Sequence, residues 1–145
     1  SRHCGLGAPI GSVLVGSAAA MREARVWRKR YGAGMRQVGI LAAAGLYALD
    51  HNIARLAEDH ARARRFADAV TEVAPVVDPA AVETNIVILE LGGRPDTAAD
   101  VVRGFADHGV RAYAIAPTRV RLVWHLDVDD AGTDLAIAAA RAVFG

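Results

Sequence analysis

The first dozen residues constrain the fold of this chain more than any other stretch. Residues 5–11 contain three glycines and a proline, and they lead directly into the apolar run Val13-Leu14-Val15. Glycine adopts backbone torsions that other residues avoid, and it lets another group approach the main chain closely. The segment therefore predicts a tight turn that holds a bound group, such as a phosphate, against the backbone. A short strand over residues 12–16 is expected to follow.

Composition and charge bound the class of protein. The chain has 145 residues, 53% of them hydrophobic, and a net charge of +1. This length suits one domain, or the end of one domain and a small second one. The near-neutral balance gives no reason to expect a nucleic acid or an anionic membrane as a partner.

Location is indicated by cysteine usage and by the apolar runs. One cysteine cannot form an internal disulfide, and no signal peptide is visible, so we expect the reducing cytoplasm. The longest apolar run, residues 38–49, is too short to cross a bilayer. It predicts instead a helix that is buried on all sides.

The first half of the chain reads as helical beyond the opening turn. Ser17 is a plausible N-cap for a basic helix through about Tyr31, which a glycine-rich break at residues 32–34 ends. An apolar helix is expected over residues 35–51. A third helix, apolar on one face only, is expected over residues 53–73.

The pattern changes after the prolines at positions 75 and 79 to alternating strands and helices. The predicted order is β-α-β-β-α, a small sheet with helices packed on it. The predicted elements are strand 84–91, helix 97–108, strand 110–115, strand 119–126 and helix 129–144.

Four stretches together resemble the threonine aldolase family. They occur in the order and spacing of that family, although each alone is a weak signal. They are Gly5-Leu6-Gly7-Ala8-Pro9-Ile10-Gly11-Ser12, Gly32-Ala33-Gly34-Met35-Arg36-Gln37, the pair Leu46-Tyr47-Ala48-Leu49 and Arg55-Leu56-Ala57-Glu58-Asp59-His60, and Arg121-Leu122-Val123-Trp124-His125-Leu126-Asp127-Val128.

The resemblance implies an α/β fold of the aspartate-aminotransferase type (fold type I) that depends on pyridoxal 5'-phosphate (PLP). It implies a lyase that cleaves β-hydroxy-α-amino acids, such as threonine, to glycine and an aldehyde, as a homo-oligomer. Residues 1–52 would end the large cofactor domain, residues 53–74 would form a linking helix, and residues 75–145 would form the small C-terminal domain. Two alternatives are a related β-eliminating lyase and a non-catalytic relative kept for folding or oligomer contacts.

The resemblance also implies the site residues. Cys4 stands where the family has the lysine that carries the cofactor as a Schiff base, and a thiol cannot form an imine. Lys29 and Arg36 would bind the phosphate, although a solvated basic face explains Lys29 equally well. Arg121 would bind the substrate carboxylate. His125, on the same face of the strand as Arg121 by alternation, would support the site or be a structural histidine.

The family part that precedes the glycine turn is not in this sequence, and residues 1–4 do not resemble the apolar strand that leads to the lysine. We therefore expect a fragment or disrupted gene product that has no aldolase turnover alone. Other apparent motifs are incomplete. Asp127 begins a calcium-like loop, but that loop lacks its last glutamate, where Ala138 stands, and the histidines make no recognisable metal set.

Overall fold

The computed structural model describes residues 6–145 and shows a mixed α/β chain. The helices are α1 Ala18–Arg30, α2 Gly39–His51, α3 Leu56–Thr71, α4 Ala98–Asp107 and α5 Asp130–Phe144, with a short 3-10 helix at Pro79–Ala81. The strands are β1 Ile86–Glu90, β2 Tyr113–Ala116 and β3 Arg119–Val123. The order from β1 onward is strand, helix, strand, strand, helix, as the sequence predicts.

The three strands form one antiparallel sheet in the order β1-β3-β2. In the centre of the sheet, Arg121 lies opposite Ile88 of β1 and Tyr113 of β2. Side chains of a strand alternate between its faces, so Val120 and Leu122 point to the buried side while Arg121 points to the exposed side. This alternation is the predicted one.

The core lies between the buried face of the sheet and helices α3, α4 and α5. Its largest fully buried side chains are Phe66, Phe105, Leu89 and Leu91. Charged pairs add contacts where α3 meets α5: Arg62 Nε lies 3.0 Å from Asp130 Oδ1, and Arg65 Nη1 lies 2.8 Å from Asp134 Oδ1. Apolar burial supplies most of the stabilisation, because exposed ion pairs contribute little.

Helix starts follow the predicted caps. The Ser17 hydroxyl accepts a hydrogen bond from the Ala20 amide, and the Asp129 carboxylate accepts one from the Gly132 amide. Thr97 and Asp100 form a complete capping box at the start of α4. These side chains satisfy amide groups that a helix leaves unpaired at its first turn.

Two predictions in the first half of the chain are wrong for this structure. Residues 12–16 form no strand, because no described segment lies beside them to pair with. Helix α2 is not buried on all sides: only Ala48 is buried, and Ile40 is 84% exposed. The apolar pattern was read correctly as a helix, but the described chain supplies nothing that covers it.

Several boundaries also differ from the predicted ones. Helix α2 begins at Gly39 instead of residue 35, and α3 begins at Leu56 instead of residue 53. Strand β3 ends at Val123, because the next residues turn: the Val128 amide donates to the His125 carbonyl at 2.8 Å. Within residues 6–145 no helix is both long and apolar enough to cross a membrane.

Candidate functional site

The glycine turn is held by a residue far away in the sequence. Asn52, which follows the last residue of α2, donates from Nδ2 to the carbonyl of Leu6 at 2.7 Å. Gly7 has φ +72, a conformation that L side chains rarely adopt, and a Cβ added to it would lie 3.2 Å from Leu126 Cδ2. The turn therefore lies between the end of α2 and the connection that follows β3. Cys4 lies outside the described residues.

Arg121 projects from the exposed face of β3. Among residues 6–145 it forms no ion pair, whereas its neighbour Arg119 pairs with Glu90 at 2.7 Å. The contrast matters because a planar guanidinium without an internal partner is suited to bind a carboxylate in a two-pronged geometry. The geometry of β3 therefore leaves Arg121, and not Arg119, available for an external anion.

His125 is fixed by the turn that follows β3. The Asp127 amide donates to His125 Nδ1 at 3.3 Å, and the Asp127 carboxylate lies 3.7 Å from the same nitrogen. When Nδ1 accepts, the neutral ring carries its proton on Nε2. The ring lines a cleft of about 240 Å³ together with Arg111, Val128 and Leu135.

Lys29 and Arg36 lie at the other end of the described chain. Lys29 is in the last turn of α1, and its side chain folds over the following loop, where a Cβ added to Gly34 would lie 2.7 Å from Nζ. Both cations are exposed, and neither forms an ion pair with a described residue. Gln37, next to Arg36, has a positive φ of 50, which is uncommon for a residue with a side chain.

The predicted site residues form two groups. The glycine turn and His125 are brought near each other, because Gly7 packs on Leu126, the residue after His125. Arg121 lies on the same strand. No hydrogen bond or ion pair within residues 6–145 joins Lys29 or Arg36 to this group. The association of all four residues therefore stays a prediction.

Sequence reasoning missed Asn52 and Asp59. Asp59 is fully buried, and its two carboxylate oxygens lie 2.7 and 3.2 Å from the guanidinium of Arg55. The four-residue spacing of Arg55 and Asp59 on a helix with one apolar face was the available signal. No pattern signals Asn52, because its partner is 46 residues away in the sequence.

The structure is thus a mixed α/β chain in which Lys29, Arg36 and Arg121 form no ion pair with any other residue in 6–145. Residues 1–92 match the family model described as beta-eliminating lyase. The chain belongs to this family.

Its relatives carry aldolase names. The probable low-specificity L-threonine aldolase 2 of Arabidopsis thaliana is 38% identical over 142 residues, which are 97% of this chain and 40% of that protein. The low specificity L-threonine aldolase of Escherichia coli (strain K12) is 43% identical over 124 residues, 86% of this chain and 35% of that protein. Aldolase vrtJ of Penicillium aethiopicum is 39% identical over 128 residues, 87% of this chain and 31% of that protein. The chain thus spans well under half the length of these relatives.

Proposed function

We propose that this chain is part of a PLP-dependent lyase of the threonine aldolase type. The intact protein would cleave a β-hydroxy-α-amino acid to glycine and an aldehyde. The observation that carries the proposal is that Arg121 forms no ion pair with any other residue in 6–145, while the turn after its strand orients His125 and contacts the glycine turn. The aldolase names of the relatives favour this activity over that of a β-eliminating lyase.

The residues present fit the anionic parts of PLP and of an amino-acid substrate. Lys29 and Arg36 are exposed cations that form no ion pair with any other residue in 6–145, and they are proposed to bind the phosphate. When bound, PLP supplies an electron sink for the charge left on the substrate α-carbon. The fit fails at position 4, because the Cys4 thiol cannot replace an amine in covalent attachment of the cofactor.

Arg121 and His125 are proposed to hold the substrate. The Arg121 guanidinium would bind the carboxylate through two parallel hydrogen bonds and so orient the α-carbon. His125, with Nδ1 occupied by the Asp127 amide, would offer its Nε2 proton as a hydrogen-bond donor. Neither Arg121 nor His125 is assigned a bond-breaking or proton-transfer step, so the proposed role of this pair is to bind and orient the substrate.

Finer architecture and assembly are further parts of the proposal. We infer a fold of type I. In it, residues 1–52 would be the end of the large domain, residues 53–74 the linking helix and residues 75–145 the small domain. A homo-oligomer and a cytoplasmic location are also inferred, the latter from the single cysteine. Support for an additional subunit or segment comes from the exposed apolar surface of α2.

A non-catalytic role is the second candidate, and Cys4 favours it for this chain as it stands. The purified chain is treated with PLP and borohydride, and labelled residues are mapped by mass spectrometry. We expect no stoichiometric label in the native chain and no glycine release from threonine. One label per chain on Lys29, with glycine release, would show instead that a relocated amine serves catalysis. Cys4→Lys, which restores the lysine of the family, is the matched variant for both the labelling and the glycine-release measurement.

A further inference from the structure

We propose that the cleft at the end of strand β3 (the β3 cleft) binds a small monocarboxylic acid with an apolar body. The cleft has a volume of about 240 Å³ and lies where three segments meet. These are the loop before β2 (residues 109–111), the end of β3 with the turn after it (residues 122–125, 127 and 128), and the first turns of α5 (residues 132, 135 and 136). Arg121 does not line the cleft, so the proposal goes beyond the proposed function.

Apolar side chains form most of the walls of the β3 cleft. Leu135 of α5 is 49% exposed, and Val110, Val123 and Val128 are half-buried. A Cβ added to Gly109 would lie 4.0 Å from Leu135 Cδ2, so the loop and α5 come close together. Small-molecule sites typically combine such walls with a few polar groups that orient the ligand. Because an apolar cavity of about 150 Å³ binds benzene, the β3 cleft has room for one ring and a short acidic chain.

Arg111 supplies the positive charge among the described residues of the cleft. It is exposed, and its side chain forms no hydrogen bond or ion pair with another of residues 6–145. The end of α4 fixes the loop before it: the Val110 amide donates to the Phe105 carbonyl, and the Gly109 amide to the Ala106 carbonyl, both at 2.9 Å. A guanidinium on a fixed loop is suited to bind a carboxylate in a two-pronged geometry.

The main chain of Val123 supplies a second donor. The Trp124 amide donates to the Asn85 carbonyl on the β1 side at 2.8 Å. Main-chain groups of successive residues point to opposite sides of a strand, so the Val123 amide points to the β2 side. Pairing of β2 with β3 begins at Tyr113, opposite Arg121, and Val123 therefore has no partner in β2. This amide is a donor, as a guanidinium is, so both groups favour an anionic acceptor.

Asp127 brings the opposite charge to the β3 cleft, but it is engaged in the turn after β3. Its carboxylate lies 3.7 Å from His125 Nδ1, and its amide donates to the same nitrogen at 3.3 Å. The side chain of Arg111 has no such contact within the described chain. We therefore assign the charge preference of the cleft to Arg111, and a cationic ligand tests this assignment.

The first experiment uses Trp124, which lines the cleft, as a reporter. Its indole N–H signal is followed by NMR in the isotope-labelled chain, with the signal of the exposed Trp27 as the internal control and Trp27→Phe to assign the two. The ligands are phenylacetate, its neutral analogue phenylacetamide and its cationic analogue phenethylamine. We expect phenylacetate to shift the Trp124 signal saturably and the Trp27 signal not at all. Both analogues should bind about tenfold more weakly, because a charge-assisted hydrogen bond is lost.

Three outcomes of this titration would overturn the proposal. They are no saturable shift of Trp124 at millimolar phenylacetate, equal binding of phenylacetate and phenylacetamide, and tighter binding of phenethylamine. The last outcome would assign the charge preference to Asp127. No outcome depends on PLP or on aldolase activity, so the proposed function stands or fails separately.

The second experiment repeats the phenylacetate titration with variants. Arg111→Gln should weaken binding about tenfold, and Arg25→Gln, an exposed cation of α1, should leave it within about twofold. Leu135→Ala should weaken it about fivefold through loss of apolar contact, and Leu46→Ala on exposed α2 should leave it within about twofold. Circular dichroism checks the fold of each variant. Arg111→Gln decides the test, because it removes no contact within the described chain, and unchanged binding in it would overturn the proposal.

Arg121→Gln separates the β3 cleft from the proposed substrate site. Arg121 lies on the exposed face of β3 and does not line the cleft, so this variant should bind phenylacetate within about twofold of the native chain. Loss of binding in Arg121→Gln with retention in Arg111→Gln would place phenylacetate at the substrate site and overturn the assignment to the cleft.

Discussion

At the scale of single residues, Trp124 and Thr133 form a buried polar pair. The indole Nε1 donates to the Thr133 hydroxyl at 3.0 Å, and that hydroxyl donates to the Asp129 carbonyl at 2.8 Å. Thr133 is 0% exposed, so its removal leaves the indole proton with no access to water. This pair joins the end of the sheet to the first turn of α5.

We predict that Thr133→Val lowers the free energy of unfolding by about 1–3 kcal/mol, the usual cost of an unsatisfied buried donor. Urea unfolding followed by tryptophan fluorescence measures it. Thr84→Val, at an exposed position, is the control and should stay within about 0.5 kcal/mol of the native chain. An equal loss of unfolding free energy in Thr133→Val and Thr84→Val would contradict this role of the Thr133 hydroxyl.

Asp59 carries a second prediction at this scale. Asp59→Ala should lower the free energy of unfolding by about 2–4 kcal/mol, because a buried ion pair loses one partner and Arg55 is only 16% exposed. Glu58→Ala removes a carboxylate that is 60% exposed and lies 3.5 Å from Arg62, so it should cost less than about 1 kcal/mol. Chemical denaturation of both variants tests the ranking, and a reversed order would refute it.

At the scale of elements, the capping box of α4 has a measurable consequence. The Thr97 hydroxyl accepts from the Asp100 amide, and Thr97→Ala should cost about 1 kcal/mol, as typical N-cap losses do. Ser17→Ala is the control, because it caps α1, a helix with no buried residue. We expect no shift in the main unfolding transition for that variant. Thermal unfolding by circular dichroism distinguishes the two helices.

The same box predicts a dependence of stability on pH. Hydrogen bonds from Thr97, aided by Arg103, lower the pKa of the Asp100 carboxyl below its usual range. A lowered folded-state pKa means that the stabilisation is present above the unfolded value, near pH 4, and is lost as the pH falls through the folded value. Asp100→Asn should therefore be less stable than the native chain mainly above about pH 4. Below that pH, its free energy of unfolding should depend less on pH than that of the native chain. Denaturation between pH 2 and 7 tests this, and parallel curves for the two proteins would contradict it.

Elements from α3 onward were predictable from the sequence, because local signals and packing agree there. Thr97 and Asp129 mark helix starts, and the alternation of Arg121 with Leu122 indicates the two faces of β3. The expected strand at residues 12–16 and the buried state of α2 were wrong, since both depend on partners that no local pattern contains. Asn52 was missed for the same reason: its hydrogen bond is a tertiary contact.

At the scale of the whole molecule, the hydrophobic core and the exposed apolar surface of α2 lie in different parts of the described chain. The hydrophobic core cluster lies wholly between Ala63 and Phe144, and no helix before α3 contributes to it. The earlier segment exposes large apolar side chains, including Ile40 at 84% and Leu46 at 63%. Such patches are associated with protein contacts or aggregation.

We predict that the purified chain self-associates through this surface. Ile40→Glu combined with Leu46→Glu should shift the sedimenting species toward the monomer mass of 15.2 kDa without lowering the unfolding temperature. Ala57→Glu combined with Ala61→Glu, which adds the same two negative charges at exposed positions of α3, is the control. Association that is unchanged by the double substitution would exclude α2 as the contact surface.

The place of α5 between α3 and α4 has a consequence for biosynthesis. Thr133, Ala136, Ala139, Ala140 and Phe144 are its buried residues, and they leave the ribosome after all three strands of the sheet, because α5 follows β3 in the chain. At translation rates of about 5–20 residues per second, the sheet waits on the order of one to three seconds with its apolar face incompletely covered. During that interval the nascent chain is a substrate for chaperones, and a message truncated before α5 would yield a product that cannot close its core.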